Sequence, residues 1–278
     1  MKIFVFVQYV LPKRAITWLA GNFANYAGGR LTTAVIHWFV KRYNVNMLEA
    51  ENSNINSYKT FNQFFTRSLK HDARPIANAK FICPVDGAIS QFGKIQQDQI
   101  YQAKNHLYST FALLAGNRLL ADSFINGSYA TLYLSPKDYH RIHMPCAGTL
   151  KSMAYVPGEL FSVNPVTAES VAGLFARNER VVCEFEGEYG KFLMVLVGAT
   201  IVGSMKTKWH GIVNPPRVKQ VKSWQYDTQN IHLKQGEEMG QFLLGSTVIM
   251  LFENDVITFN EGWYETKSVC LGEKMDES

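Results

Sequence analysis

Hydrophobic and polar positions divide the chain into two unlike parts. Before about residue 70 the apolar side chains recur at helical spacing; beyond about residue 80 they gather in short runs broken by Gly and Pro. Helices are predicted from about Lys13 to Tyr26 and, after Gly28-Gly29, from about Leu31 to Tyr43. A third is predicted across Ser57 to Lys70, where Phe61, Phe64, Phe65 and Leu69 share one helical face, with Ala73-Arg74-Pro75 ending it. Strands are predicted after the turn Cys83-Pro84-Val85-Asp86-Gly87, across Ala130 to Leu134, Val181 to Phe185 and Lys191 to Val202. The expected class is α+β: an N-terminal amphipathic helical region, residues 1–75, then a mainly antiparallel β sandwich or barrel-like core, residues 76–278.

One apolar run carries an interruption with chemical content. Gly245-Ser246-Thr247 separates Phe242-Leu243-Leu244 from Val248-Ile249-Met250-Leu251-Phe252. A glycine inside a strand is ordinarily a β-bulge. The same residues also permit self-cleavage. The Ser246 hydroxyl lies one residue downstream of the Gly245 carbonyl, which no side chain shields. Attack there would shift the backbone onto oxygen as an ester. Loss of the Ser α-proton would then break the chain, leaving dehydroalanine that hydrolyses to a pyruvoyl group. Such a step needs a general base and groups that steady an oxyanion.

Charge changes the picture at the N-terminus. Residues 1–48 hold Lys2, Lys13, Arg14, Arg30, Lys41 and Arg42 and no acidic residue, with Trp18, Trp38 and several Phe and Tyr between them. Basic, Trp-bearing amphipathic helices suit an anionic membrane surface; the competing reading is a helical subdomain with a solvated basic face. The cations are dispersed and no nucleic-acid motif appears, so no nucleic acid is expected. The run Met1 to Pro12 resembles a signal peptide but lacks a cleavage site before Lys13-Arg14, and no run reaches the roughly 18 apolar residues of a spanning helix. The net charge of +5 favours an anionic partner. The four cysteines form no C-x-x-C pair and read as buried, reduced thiols.

The densest polar chemistry lies in Ser135-Pro136-Lys137-Asp138-Tyr139-His140-Arg141-Ile142-His143-Met144-Pro145. On one helical turn His140 and His143 would face the same side. As zinc ligands they lack an evident third partner. As surface polar groups or as acid–base groups they need none. Arg67, in Phe64-Phe65-Thr66-Arg67, reads as a structural anchor ahead of an anion contact.

Taken in order, Pro84-Val85-Asp86-Gly87, the segment 135–145, Tyr155 to Pro165, Val197-Gly198-Ala199 and Leu244-Gly245-Ser246-Thr247 resemble the short bacterial phosphatidylserine decarboxylases. The resemblance covers nearly the whole chain. It implies cleavage between Gly245 and Ser246 into a β chain, 1–245, and an α chain, 246–278, with Ser246 becoming an N-terminal pyruvoyl cofactor. It implies that Asp86, His143 and Ser246 drive processing, Asp86 orienting and charge-stabilising His143, and that His140 assists decarboxylation or reprotonation. The lipid amine would form a Schiff base with the pyruvoyl ketone, lose carbon dioxide and leave as phosphatidylethanolamine, with no metal required. A peripheral position on the cytoplasmic side of the cell membrane and a homodimer of the processed pair are likewise implied. The alternatives are a non-catalytic membrane-binding relative that does not self-process and a zinc hydrolase.

Overall fold

The computed structural model describes residues 3–103, 106–201, 204–244 and 246–277, and of Ile3, Phe4 and Ser246 the backbone alone. The helical part holds Ile3–Val10, Lys13–Asn25, Arg30–Tyr43 and the short Phe61–Phe65. The first of these was not foreseen. The last is much shorter than the periodicity suggests. Thr60 caps it by accepting from the Gln63 amide. Thr66 then turns its hydroxyl back onto the Asn62 carbonyl at 2.8 Å, and Leu69 bridges to Ala50 instead of continuing the helix. Ala73-Arg74-Pro75 therefore does not end it.

The β part is antiparallel throughout its named strand pairs. The large sheet runs Lys222–Gln225, Gly148–Val156, Arg180–Gly187, Gly190–Val197, Ser246–Phe252, Ser128–Leu134, Gly87–Lys94 and Ser268–Val269, with His232–Leu233 also on Gly148–Val156. A second sheet runs Gly211–Ile212, Ser204–Thr207, Glu238–Leu243 and Arg141–His143. Among the described residues neither sheet closes into a barrel, and the layered, sandwich-like part of the expectation holds.

Ser246–Phe252 is interior to the large sheet, hydrogen-bonded to Gly190–Val197 on one side and Ser128–Leu134 on the other. Its side chains alternate between two cores. Val248, Met250 and Phe252 join the cluster beneath the small sheet, with Ile142, Met239 and Phe242. Ile249 and Leu251 join the opposite cluster, with Tyr108, Phe124, Phe161 and Phe175. Both faces are covered, which is why the run reads as continuously apolar. Each such buried side chain contributes about 1.5–3 kcal/mol.

Chain direction explains the Gly-Ser break. Glu238–Leu243 belongs to the small sheet and Ser246–Phe252 to the large one, so the chain changes sheets between Leu243 and Ser246. Leu244 sits there with φ +90°, a conformation costing a branched residue on the order of 1–3 kcal/mol. Its side chain is buried with Ala24, Ile36, Phe61, Phe64 and Phe65. The helices are thus packed onto the sheet corner. The first helix is also docked: Gln8 donates to Thr167 at 3.2 Å and Tyr9 packs edge-on against Phe161.

Candidate active site

The segment before the first long strand approaches the small sheet. The His143 amide donates to the Pro84 carbonyl at 2.9 Å, two residues from Asp86. Gly87 starts the next strand so close to Tyr133 that an added Cβ would collide with its carbonyl oxygen, so only glycine fits. On the other side of Ser128–Leu134, Ser246 pairs with Leu134. The strand order therefore gathers the Asp86 segment, the 135–143 loop and the Ser246 strand. Gly245 and the Ser246 side chain lie outside the described residues.

The two histidines do not share a helical turn. Arg141–His143 is a strand, and residues three apart on extended chain face opposite sides. His140 is fully buried under the Phe65 ring. Its Nδ1 lies 2.8 Å from the Asp138 carbonyl. A carbonyl only accepts, so Nδ1 carries the proton and Nε2 the lone pair. That Nε2 is sealed from solvent and has no hydrogen-bond partner among the described residues. Burial pushes the imidazole down to about 3, so it is neutral. In this state the His140 imidazole can accept a proton at Nε2 but has none there to give.

His143 is built the same way. Nδ1 donates to the Gly236 carbonyl at 2.9 Å, leaving Nε2 to accept from the Tyr139 hydroxyl at 3.1 Å. Burial lowers its pKa as well, opposed by the Gly236 hydrogen bond and by the negative charges of Glu238 and Asp86. Burial raises that of Tyr139, which keeps the hydroxyl protonated as a donor.

Asp86 is held elsewhere. Its Oδ1 accepts from Arg74 Nε and from the Leu271 amide, each at 2.9 Å, and its Oδ2 from Arg74 Nη2 at 2.5 Å. Arg74 also binds Glu49. No hydrogen bond joins Asp86 to His143 among the described residues, so the orientation expected from Asp86 is supplied by Gly236 and Tyr139. Asp86 reaches the imidazole as charge alone. Arg74 was read in the sequence only as a helix stop; its place twelve residues before an acid gave no sign of the pairing.

A cavity of about 580 Å³ opens here, lined among others by Arg67, Arg74, Asp86, Tyr133, Lys137 and Tyr139. A second, of about 450 Å³, adjoins it through Arg74 and Tyr139 and is lined by His143 and Gly236. Arg141 ties the pieces together, donating to the Thr66 carbonyl and to Glu238, both at 2.9 Å. This bond holds the Phe61–Phe65 helix over His140. Cys83, Cys146 and Cys183 are buried thiols, and Cys270, partly exposed, lines the larger cavity.

The family model described as phosphatidylserine decarboxylase matches residues 61–276, and one described as PSD matches residues 3–44. A protein of Dechloromonas aromatica named phosphatidylserine decarboxylase proenzyme is 63% identical over 271 residues, covering 98% of this chain and 96% of that one. One of the same name from Methylobacillus flagellatus is 64% identical over 270 residues, covering 97% and 96%. The chain belongs to the phosphatidylserine decarboxylase family.

Proposed function

We propose that the chain is a proenzyme that cuts itself between Gly245 and Ser246 and then converts phosphatidylserine to phosphatidylethanolamine. The observation that carries this reading is the identity, over nearly the full length, with relatives named phosphatidylserine decarboxylase proenzyme. The corner between sheets, entered through a strained Leu244, is where a serine would attack its own backbone.

In processing, the Ser246 hydroxyl would displace Tyr139 from Nε2 of His143 and pass its proton there while Oγ adds to the Gly245 carbonyl carbon. The C–N bond then breaks, the nitrogen takes up the proton, and an ester remains. Removal of the Ser246 α-proton expels the Gly245 carboxylate and leaves dehydroalanine; water converts this to a ketone with release of ammonia. Asp86 and Arg74, locked together, fix the electrostatic surroundings of His143. The new chains, 1–245 and 246–278, would stay associated, because Ser246–Phe252 keeps a ladder on both edges.

The residues around position 246 fit a pyruvoyl group. Among the described residues, the buried Thr247 Oγ1 and His140 Nε2 have no hydrogen-bond partner. Thr247 follows Ser246 directly, and the His140 carbonyl accepts from the Phe242 amide at 3.0 Å. When formed, the group supplies an electron sink for the carbanion left by carbon dioxide. His140 Nε2 would take the proton that the substrate's ammonium must shed and return it to Cα after carbon dioxide leaves. Phe65, packed over the imidazole, excludes water from this proton.

The helical part supports a peripheral place on anionic membrane. Phe6, Tyr9, Trp18, Leu19, Phe23, Leu31 and Trp38 are exposed, and so are Arg14, Arg30, Lys41 and Arg42. Lys13 departs from the expected basic face: it is buried, 3.1 Å from Glu159 and over the Phe161 ring. No helix among the described residues is long and apolar enough to cross a membrane.

Release of labelled carbon dioxide from carboxyl-labelled phosphatidylserine by the purified protein tests the reaction. Its loss in Ser246→Ala is expected; equal release from that variant would refute the reading. A membrane-binding relative without chemistry would release none from either.

A further inference from the structure

Arg67 is the unabsorbed part of this site. Its side chain is 5% exposed, yet no carboxylate forms an ion pair with it among the described residues. Its hydrogen bond runs from Nη2 to the Lys137 carbonyl at 3.1 Å, and its Nε is sealed without a partner among the described residues. The guanidinium rests near the Phe64 ring, 5.5 Å from its centroid. The nearby acids are occupied: Asp86 and Glu49 bind Arg74, and Asp138 accepts from the Ser135 amide and hydroxyl. An anchor accounts for one donor of five. A buried cation without a counter-ion is costly. Burial accordingly disfavours the charged form of this guanidinium.

What Arg67 lines is the 580 Å³ cavity beside Asp86 and Tyr139, with the exposed Lys137 at the same wall. Lys137 also forms no ion pair among the described residues. A planar guanidinium fork and a neighbouring ammonium are the donor set that binds phosphate. We propose that Arg67, with Lys137 at the rim, seats the phosphodiester of the lipid headgroup; this rests on the phosphatidylserine reading above.

The alternative anion on the same substrate is the carboxylate. A cation fastened to it would stabilise the ground state more than the transition state, because its charge drains away as carbon dioxide leaves. The phosphodiester keeps its charge from substrate to product. Binding energy spent there holds the lipid without raising the barrier. The seat is also on the helical side of the cavity, where Asn44, Asn46 and Glu49 share the lining with Arg67.

The test begins with thermal melting of the purified protein in glycerophosphoserine, inorganic phosphate or serine at matched ionic strength. Glycerophosphoserine is expected to raise Tm at tenfold lower concentration than phosphate, and serine to leave it unchanged. The rise should vanish in Arg67→Gln and return in part in Arg67→Lys. With a soluble short-chain phosphatidylserine, Arg67→Gln should raise KM at least tenfold with kcat within about threefold. No stabilisation of the wild-type protein by the diester overturns the proposal, even if Arg67→Gln fails to fold. Inorganic phosphate binding as well as the diester would assign the site to free phosphate and overturn the lipid assignment. Protection by the diester through Arg67 without any carbon dioxide release would sink the decarboxylase reading and leave the phosphate seat standing. Decarboxylation with an unchanged KM in Arg67→Gln would do the reverse.

Discussion

The Phe65 ring lies over the His140 imidazole, centroids 4.0 Å apart and planes inclined by 39°. A residue of the helical part therefore roofs a histidine of the β part, and the two regions meet at the proposed active site. His140→Ala is expected to leave self-cleavage intact and to lower turnover at least 100-fold. Phe65→Leu, which keeps an apolar cover but loses the ring, is expected to lower turnover roughly tenfold. Cleavage is followed on denaturing gels and turnover by carbon dioxide release. Normal turnover in His140→Ala would remove the assigned proton carrier.

With His143 as the proposed base, its environment sets the expected pH dependence of processing. Its folded pKa lies below the ordinary value, so the imidazole stays neutral and able to accept a proton as pH falls through about 6.5. Cleavage of freshly refolded precursor is expected to hold a constant rate from pH 8 to 6.5 and to slow only below that. A fall centred on 6.5 would show an exposed imidazole instead. Stability carries the same sign. Below about 6.5 the unfolded chain binds protons that folded His140 and His143 refuse, so this contribution is present above 6.5 and is lost as pH falls toward the folded values.

Asp86 and Arg74 act as a unit. Asp86→Ala leaves Arg74 with Glu49 and the Ala73 carbonyl and strips the Leu271 amide of its acceptor. A loss of about 1–3 kcal/mol in denaturant unfolding is expected. Processing should be blocked or slowed at least 100-fold, and Arg74→Gln should slow it by a comparable factor. If Arg74→Gln matures at the wild-type rate, the carboxylate does not depend on its partner.

Membrane binding is best probed on the surface. Deleting the first helices would uncover Leu244 and Phe65, since Ala24 and Ile36 pack with them. Trp18→Ser with Trp38→Ser changes only exposed side chains. The double variant should bind anionic vesicles at least tenfold more weakly in sedimentation while still cleaving itself. Unchanged sedimentation would place the membrane contact elsewhere.

Much of this was legible in the sequence, for physical reasons that differ by residue. The helices at Lys13–Asn25 and Arg30–Tyr43 follow from periodicity, and the buried Ser246–Phe252 strand from a continuous apolar run. Self-cleavage was suggested because Gly and Ser interrupt that run. Hidden from the sequence was the length of the Phe61–Phe65 helix, which a hydroxyl and a bridge to Ala50 end early. The spacing of His140 and His143 suggested a helical turn, but pairing with Glu238–Leu243 makes the backbone extended. Partners far apart in sequence, such as Arg74 with Asp86 and His143 with Gly236, are set by sheet topology and carry no local mark.

The intact mass of the purified protein, beside Ser246→Ala, tests the account most directly. The wild-type protein is predicted to yield two masses, those of 1–245 and of 246–278 with its first residue converted to a ketone, and the variant one uncut chain. An uncut wild-type chain that still releases carbon dioxide from phosphatidylserine would contradict it.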